Sequence, residues 1–234
     1  MSSFLGEFFG TLILTAIGVG VGAGVNLSKT FSRNQNWLFV SLGWGLGISF
    51  GVYVAGTIGS KGFINPAITL GTALCGLFPW GQVLPYLIGE FLGAFCGAGL
   101  VIGAYYAQFK HAQTEEEGNT VSIFATSPAI EDHKFNFVSE LIATFIFVFI
   151  LLNLGSFTTG LKPLIVGLII TAIGMAFGGT TGFAVNPARD LGPRLAYALL
   201  PIPNKGDANW KYAWVPIAGP IVGGFLACLL KVLV

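Results

Sequence analysis

The chain has 234 residues, of which 54% are hydrophobic and only 9% are charged, and its formal net charge is +1. A mean hydropathy of +0.79 excludes an ordinary soluble domain, because such a fold would leave most of its apolar surface uncovered. The small net charge, without any basic block, excludes a nucleic-acid-binding surface. Cys75, Cys96 and Cys228 stand singly in apolar segments, which is neither a disulfide framework nor metal-ligand spacing, so no metal or cofactor is predicted.

Six uncharged runs are long enough to cross a bilayer, whose core of about 30 Å takes roughly 20 helical residues. The first run lacks the preceding basic residues of a signal peptide and is predicted to be a retained span. The runs are Phe8–Ser28, Trp37–Ser60, Phe91–Phe109, Leu141–Leu161, Pro163–Ala188 and Tyr212–Leu230. They predict an all-α membrane protein with six transmembrane helices.

Two further apolar segments, residues 63–84 and 181–200, are interrupted by proline and glycine. Each is predicted to be a loop followed by a short helix that re-enters the membrane. Irregular backbone at membrane depth is tolerated only where protein encloses it or where it lines a watery cavity. These two segments are therefore candidates for the functional site.

The longest polar stretch, residues 108–135, divides the chain near its middle. It contains both histidines, His111 and His133, for which we expect solvated surface positions, and the acidic residues Glu115, Glu116, Glu117, Glu131 and Asp132. We predict a solvent loop that joins two repeats, residues 1–107 and 136–234, within one channel domain of residues 1–234.

The two halves carry the same landmarks. Glu7 begins the sequence Glu-Phe-Phe-Gly-Thr and Glu140 begins Glu-Leu-Ile-Ala-Thr, while Asn65-Pro66-Ala67 recurs as Asn186-Pro187-Ala188. Three spans in each half is an odd number, so the second half must cross the membrane inverted. Inverted repeats with broken helices place a functional site near the midplane.

Asn-Pro is a helix start, because the asparagine oxygen caps free backbone N–H groups and proline at the first helical position has none to satisfy. In inverted halves, the two short helices that begin at Asn65 and Asn186 present their positive N-termini to each other, which is a barrier to cations. With the oxygens occupied, the amide N–H groups remain as donors for a passing hydroxyl. This arrangement is typical of pores selected by lining donors and half-helix dipoles.

These motifs resemble the major intrinsic protein family and, within it, the aquaglyceroporin or glycerol facilitator branch. The likeness covers nearly the whole chain and also includes Trp44-Gly45-Leu46-Gly47 and the run from Thr181 to Asp190. It implies an aquaporin-like inverted 3+3 repeat with two re-entrant half-helices. It further implies a passive channel, not an enzyme, that passes glycerol, similar small uncharged solutes and water while excluding ions and protons.

The resemblance assigns a selectivity filter to Trp44, Gly174, Phe183 and Arg189. Water-selective relatives usually hold a histidine at the position of Gly174. Without it, two aromatic rings form an apolar corner opposite a cationic donor, which suits a molecule with a carbon edge and a hydroxyl edge. From the residues alone, Arg189 could equally be a structural partner of Asp190.

The resemblance also assigns the groups that support and line the pore. Glu7 and Glu140 would each be either a headgroup-level residue or a buried acceptor; the family favours buried acceptors for the re-entrant loops, with Asp190 as a further loop-supporting residue. Backbone carbonyls would line the pore at Lys61, Gly62, Phe63, Ile64, Gly182, Phe183, Ala184 and Val185.

Three residues depart from the family pattern. Phe63 stands where histidine is usual, Lys61 stands where glycine is common, and Glu90 replaces a customary glutamine. The first two predict that this half of the pore differs in width. Glu90 is left as either a protonated group or a hydrogen-bonded one.

Three alternative functions stay open beside a glycerol channel: a secondary transporter that uses the glutamates Glu7, Glu90 and Glu140 for a coupling ion, a water-selective aquaporin, and a membrane-junction protein. Among solutes, glycerol, dihydroxyacetone, urea, water and undissociated lactic acid all stay open. The family implies a homotetramer in the lipid of the cell membrane, with both termini cytoplasmic, whereas the count of Lys and Arg favours the opposite orientation.

Overall fold

A computed structural model describes residues 1–112 and 120–234 of the chain. Six of its helices are long and apolar enough to cross a membrane, which confirms the predicted multi-pass architecture; no strand occurs in the described ranges. In chain order the helices are α1 (Ser2–Asn26), α2 (Trp37–Ile58), α3 (Pro66–Leu74), α4 (Val83–Ala104), α5 (Tyr106–His111), α6 (Val121–Phe124), α7 (His133–Leu152), α8 (Leu161–Thr181), α9 (Pro187–Leu199) and α10 (Val215–Leu233).

The two halves pack in the same way. Helix α1 lies against α2 and α4, and α7 lies against α8 and α10. Gly93 lets α4 approach α1 closely, because a Cβ there would lie 2.2 Å from the Phe8 carbonyl oxygen; a Cβ at Gly223 would lie 2.3 Å from that of Leu141. The short helices join the halves, since α3 packs on α10 and α9 packs on α4.

Several predicted span limits were wrong. Glu7, Glu90 and Glu140 lie inside α1, α4 and α7, so these helices begin earlier than the uncharged runs. A run without charges misses a carboxylate that is fully buried and hydrogen-bonded inside the protein, as all three glutamates are. Helix α8 ends before its predicted limit, at Thr181, because Gly182 adopts a left-handed conformation (φ 85°).

The prediction of a simple solvent loop over residues 108–135 needs correction. Phe124 is fully buried, Thr126 is 4% exposed, and α6 packs against α1 and α9. Alternation of polar and apolar residues over this short stretch concealed a buried turn of helix. Glu131 and Asp132 are exposed as expected, and Glu115, Glu116 and Glu117 lie outside the described residues.

Candidate pore and selectivity site

A cavity of about 370 Å³, which we name the lysine vestibule, opens on the face of the bundle where α2 ends and α8 begins. Its walls are mostly apolar. Lys61 and Lys162 line it, and so do Asn65 and Asn186. Both lysines are exposed and both asparagines are buried, so the lysines mark the solvent end and the asparagines mark the inner end.

A second cavity of about 250 Å³, the arginine vestibule, opens on the other face and is lined by Trp44, Phe183 and Arg189 among others. Between the two vestibules lies a constriction of about 10 Å³, close to the smallest space that holds one water. The lining residues of the constriction are Leu14, Trp44, Ile48, Asn65, Ile170, Phe183, Ala184, Val185, Asn186 and Arg189. The asparagines of the two Asn-Pro-Ala motifs and three predicted filter residues therefore meet at this constriction.

Both asparagines cap their helices as the sequence predicts. The Oδ1 atom of Asn65 accepts from the N–H of Ala67 at 2.9 Å, and that of Asn186 accepts from the N–H of Ala188 at 3.0 Å. The Nδ2 amides, however, are not both wholly free for the pore. Asn65 donates to the carbonyl of Val185 (2.9 Å), and Asn186 donates to that of Ile64 (2.7 Å).

This cross-bonding revises the expected roles. Each amide has two N–H groups, so one per asparagine remains available to a solute. The carbonyls of Ile64 and Val185, which we expected to serve the lumen, each use a lone pair to hold the opposite motif. The pore-lining carbonyls of the other predicted residues stay a prediction.

The first re-entrant loop, residues 59–65, is held by a series of side-chain acceptors. Glu7 accepts from the N–H groups of Phe63 (3.1 Å) and Ile64 and from the hydroxyl of Ser60. The Ser60 hydroxyl accepts from the N–H of Gly62, the Tyr86 hydroxyl accepts from the N–H of Lys61, and Glu90 accepts from the N–H of Asn65. Consecutive backbone donors from Lys61 to Asn65 are thereby satisfied.

The second re-entrant loop, residues 182–186, depends on one glutamate. Glu140 accepts from the N–H groups of Ala184 and Val185, both at 2.9 Å, and from the Thr181 hydroxyl at 2.6 Å. Glu7 and Glu140 are fully buried, so the structure places both as buried acceptors and not at the headgroup level.

The two glutamates stabilise an unfavourable backbone. Ile64 and Val185 both have φ of 44°, a left-handed conformation that β-branched residues rarely adopt. Such a residue costs about 1–3 kcal/mol and persists only where its surroundings fix it. The N–H of Ile64 donates to Glu7 and the N–H of Val185 donates to Glu140. Each strained residue is therefore held by a charge-assisted hydrogen bond to a carboxylate.

Arg189 lies in the first turn of α9 and is 8% exposed. Its guanidinium carbon is 3.7 Å from the centre of the Trp44 ring, a cation–π contact, and its Nη1 donates to the Phe124 carbonyl at 3.5 Å. Gly18 makes room for the tryptophan, because a Cβ there would lie 2.2 Å from the ring. The guanidinium thus stands between the arginine vestibule and the constriction.

Asp190 does not serve as the partner of Arg189. Its carboxylate pairs with Arg194 at 2.8 Å, and both side chains are fully buried. Asp190 also accepts from the backbone N–H and the hydroxyl of Thr126, while Arg194 donates to the carbonyls of Thr126, Ala208 and Asn209. This network joins α9 to the buried segment that follows α6.

Gly174 acts through its missing side chain. A Cβ at this position would lie 2.9 Å from the Phe183 ring, so the ring occupies the space that a larger residue at 174 would need. The ring of Trp37 packs edge-to-face against the ring of Phe183, with 5.7 Å between the ring centres. The Nε1–H of Trp37 also donates to the Gly174 carbonyl at 2.8 Å. The predicted filter residues are therefore in contact in two pairs, Trp44 with Arg189 and Gly174 with Phe183.

Sequence reasoning missed Arg194, Thr126 and Trp37. The spacing of Asp190 and Arg194, four residues apart on a helix, was a usable sign of their pairing. Thr126 gave no sign, because it contacts Asp190 only through the tertiary fold.

The chain is similar to known membrane proteins over nearly its whole length. Residues 1–231 match the family described as "Major intrinsic protein". The chain is 59% identical to "Glycerol uptake facilitator protein 2" of Lactiplantibacillus plantarum over 100% of both chains, and 47% identical to "Glycerol uptake facilitator protein" of Streptococcus pneumoniae over 98% of this chain and 97% of the other. The X-ray structure of the aquaglyceroporin from Plasmodium falciparum superposes with a TM-score of 0.85 at 32% identity, covering 98% of this chain and 94% of that one.

Proposed function

The chain belongs to the major intrinsic protein family, and we propose that it is a passive membrane channel for glycerol and similar small uncharged polyols. Relatives named as glycerol uptake facilitators match it over nearly their whole length. The proposal rests above all on one observation at the constriction. There a cationic donor, Arg189, faces two aromatic side chains, Trp44 and Phe183.

These walls match the two edges of a polyol. The Arg189 guanidinium offers N–H donors to hydroxyl oxygens, whereas the rings of Trp44 and Phe183 offer apolar contact to carbon. Asn65 and Asn186 each supply one further N–H donor deeper in the pore. A solute that loses water at the constriction regains hydrogen bonds on one side only, which favours molecules with hydroxyls along one edge.

The constriction has room for about one water while Arg189 covers the Trp44 ring. We infer that a polyol passes when the guanidinium leaves the ring, which exposes the apolar face of Trp44 to the carbon edge of the solute. A cation–π contact is worth about 0.5–2 kcal/mol, so this step is a small barrier. Water needs no such displacement.

Ion exclusion follows from the same region. Helices α3 and α9 begin at Asn65 and Asn186, and their N-termini each carry roughly half a positive charge. Arg189 adds a full charge beside them. A cation entering the constriction therefore meets positive charge from three sources and loses its hydration shell.

The test is solute flux into vesicles that contain the purified protein. We expect glycerol flux to be linear in concentration, independent of ion gradients and only weakly dependent on temperature. Flux that saturates and requires an ion gradient would instead establish a secondary transporter, and water flux without glycerol flux would establish a water-selective pore. Urea, dihydroxyacetone and undissociated lactic acid in the same assay would define the range of solutes.

A filter variant makes this test specific to the proposed site. Gly174→His needs the space of the Phe183 ring, so it is combined with Phe183→Cys. We expect the double variant to lose most glycerol flux and to keep water flux, because histidine narrows the passage and replaces apolar by polar contact. Unchanged glycerol flux would place the selectivity of the pore elsewhere.

We further propose that the protein forms homotetramers with one pore per subunit in the cell membrane, with both termini cytoplasmic. The family resemblance supports each of these proposals. Mass measurement of the intact protein in detergent tests the number of subunits, and labelling of cysteines introduced beside Lys61 or Glu131 in whole cells tests the orientation.

A further inference from the structure

The lysine vestibule has features that passage of an uncharged solute does not require. Its volume of about 370 Å³ lies in the range of small-molecule binding sites. The buried Asn65 and Asn186 close its inner end with N–H donors, apolar side chains form its walls, and Lys61 and Lys162 stand at its solvent end. The cavity therefore offers donors at one end and positive charge at the other.

The positive charge of these lysines is not neutralised by the residues that the structure describes. No carboxylate lines the cavity. Glu7 and Glu90, the carboxylates that hold the first re-entrant loop, are both fully buried and bind its backbone groups. Lys61 lies over the Phe78 ring, with its Nζ 5.3 Å from the ring centre, so its partner is an aromatic face and not an anion.

The opposite face of the molecule differs in this respect. Its exposed side chains include Glu131, Asp132 and Asp207 together with lysines. An anion approaching that face therefore meets mixed charge, whereas the charged side chains among the described residues that line the lysine vestibule are two lysines.

Two ammonium groups beside a cavity with hydroxyl-binding donors match one class of ligand. A phosphate monoester carries a charge of about −1.5 to −2 at pH 7 and has three acceptor oxygens, so it can engage both Lys61 and Lys162. A short hydroxylated carbon stem on that phosphate would reach along the apolar wall to the donors of Asn65 and Asn186. The constriction beyond, of about 10 Å³, cannot admit a hydrated phosphate.

We propose that the lysine vestibule binds a polyol monophosphate and that the bound anion blocks solute entry from this face. The polyol end points toward the asparagines and the phosphate stays at the lysines. This inference rests on the proposed channel function, because the blocked process is polyol flux. A phospholipid headgroup presents the same phosphate chemistry, but its acyl chains would have to leave the bilayer for the headgroup to enter a cavity that lies between the helices of the bundle.

Vesicle flux with a glycerol monophosphate present on both sides tests the block without regard to orientation. Neutral phosphatidylcholine vesicles contain the full chain, and each protein is compared with its own glycerol flux in the absence of the anion. We expect millimolar anion to lower flux several-fold, and higher salt to relieve the inhibition because the lysines are exposed. Inorganic phosphate, which lacks the carbon stem, should inhibit less.

Charge variants assign the effect to the two lysines. Lys61→Gln with Lys162→Gln should abolish inhibition, whereas Lys61→Arg with Lys162→Arg should retain it. Lys231→Gln is the matched control on the same face, because Lys231 binds Asn153 at 2.9 Å and does not line the cavity; it should retain inhibition. Equal inhibition in the double Gln variant would overturn the proposal.

Direct binding separates this proposal from the proposed function. Equilibrium dialysis of the detergent-purified protein against labelled glycerol monophosphate requires no flux, so it tests the site even if the chain proves not to conduct glycerol. Binding that the double Gln variant loses supports the site, and absence of binding to the unmodified protein overturns it. If anionic lipid alone lowers flux through the same lysines, the occupant is a headgroup and the soluble ligand is wrong.

Discussion

The two re-entrant segments, residues 59–74 and 182–199, are supported in the same way at their Asn-Pro-Ala motifs and differ in the residue that follows each motif. In both, an asparagine caps the short helix and a buried glutamate holds the strained residue before it, Ile64 in one and Val185 in the other. After the Asn-Pro-Ala motif the first segment continues with Ile68, and the second continues with Arg189. Both copies thus contribute to the pore, while only the second places a charged side chain, Arg189, at the constriction.

The side chains that hold the two re-entrant loops also differ between the segments. The first loop distributes its backbone donors over Glu7, Ser60, Tyr86 and Glu90. The second loop relies on Glu140, and the Asp190–Arg194 pair secures its helix. The segment that carries Arg189 is secured by a buried ion pair in its helix, whereas the other segment shares its support among four side chains.

The largest expected effect comes from breaking the charge pair of the second segment. Arg194→Met leaves Asp190 buried without its cation, which costs about 3–5 kcal/mol. We expect a much lower melting temperature in detergent and loss of glycerol flux. Adding Asp190→Asn to this variant removes the lone charge and should restore part of the stability. A variant Arg194→Met that melts like the unmodified protein would show that the pair does not secure α9.

A smaller effect is expected when either loop glutamate, Glu140 or Glu7, is replaced. The difference between the two variants in flux and melting temperature measures how far other side chains share the support of each loop. Glu140→Ala leaves two buried N–H donors unsatisfied at about 1–3 kcal/mol each, so flux and melting temperature should both fall. Glu140→Gln keeps an acceptor and should fall less, since a charge-assisted bond is roughly twice as strong as a neutral one.

Glu7→Ala is the matched comparison in the first segment. This variant also leaves two backbone N–H groups of the loop without their acceptor. Ser60, Tyr86 and Glu90 still accept from the N–H groups of neighbouring residues. We therefore expect a smaller loss of flux than in Glu140→Ala, with Glu131→Ala, at an exposed site, as an unaffected control. Larger damage from Glu7→Ala would contradict the contrast between shared and single support.

The smallest effect is expected at Glu90. Its Oε1 binds Asn65 and Thr69, its Oε2 is buried without a hydrogen-bond partner, and the Glu7 carboxylate acts on it electrostatically. Glu90→Gln keeps the acceptor and turns the other atom into a donor beside a carboxylate. Stability and flux should equal or slightly exceed those of the unmodified protein. A clear fall in melting temperature would mean that the charge of Glu90 itself is needed.

Local sequence signals predicted much of this structure. Asn-Pro marked both short helices because capping depends on neighbouring residues alone, and apolar runs marked the six spans. The limits of α4 and α7 were missed because their glutamates are tolerated only through bonds to distant loops. The pairing of Trp37 with Phe183 and the burial of Thr126 likewise depend on contacts between remote parts of the chain.

The crossed amide bonds also bear on how the chain matures. Asn65 donates to the carbonyl of Val185, and Asn186 donates to the carbonyl of Ile64, so in each of the two bonds one loop supplies the donor and the other supplies the acceptor. While the ribosome is still making the second half, the first loop has no partner for either group. The two bonds join residues 120 and 122 positions apart in the chain, and non-local contacts of this kind are slow to form. Closure of the pore at the two asparagines therefore requires both halves of the chain.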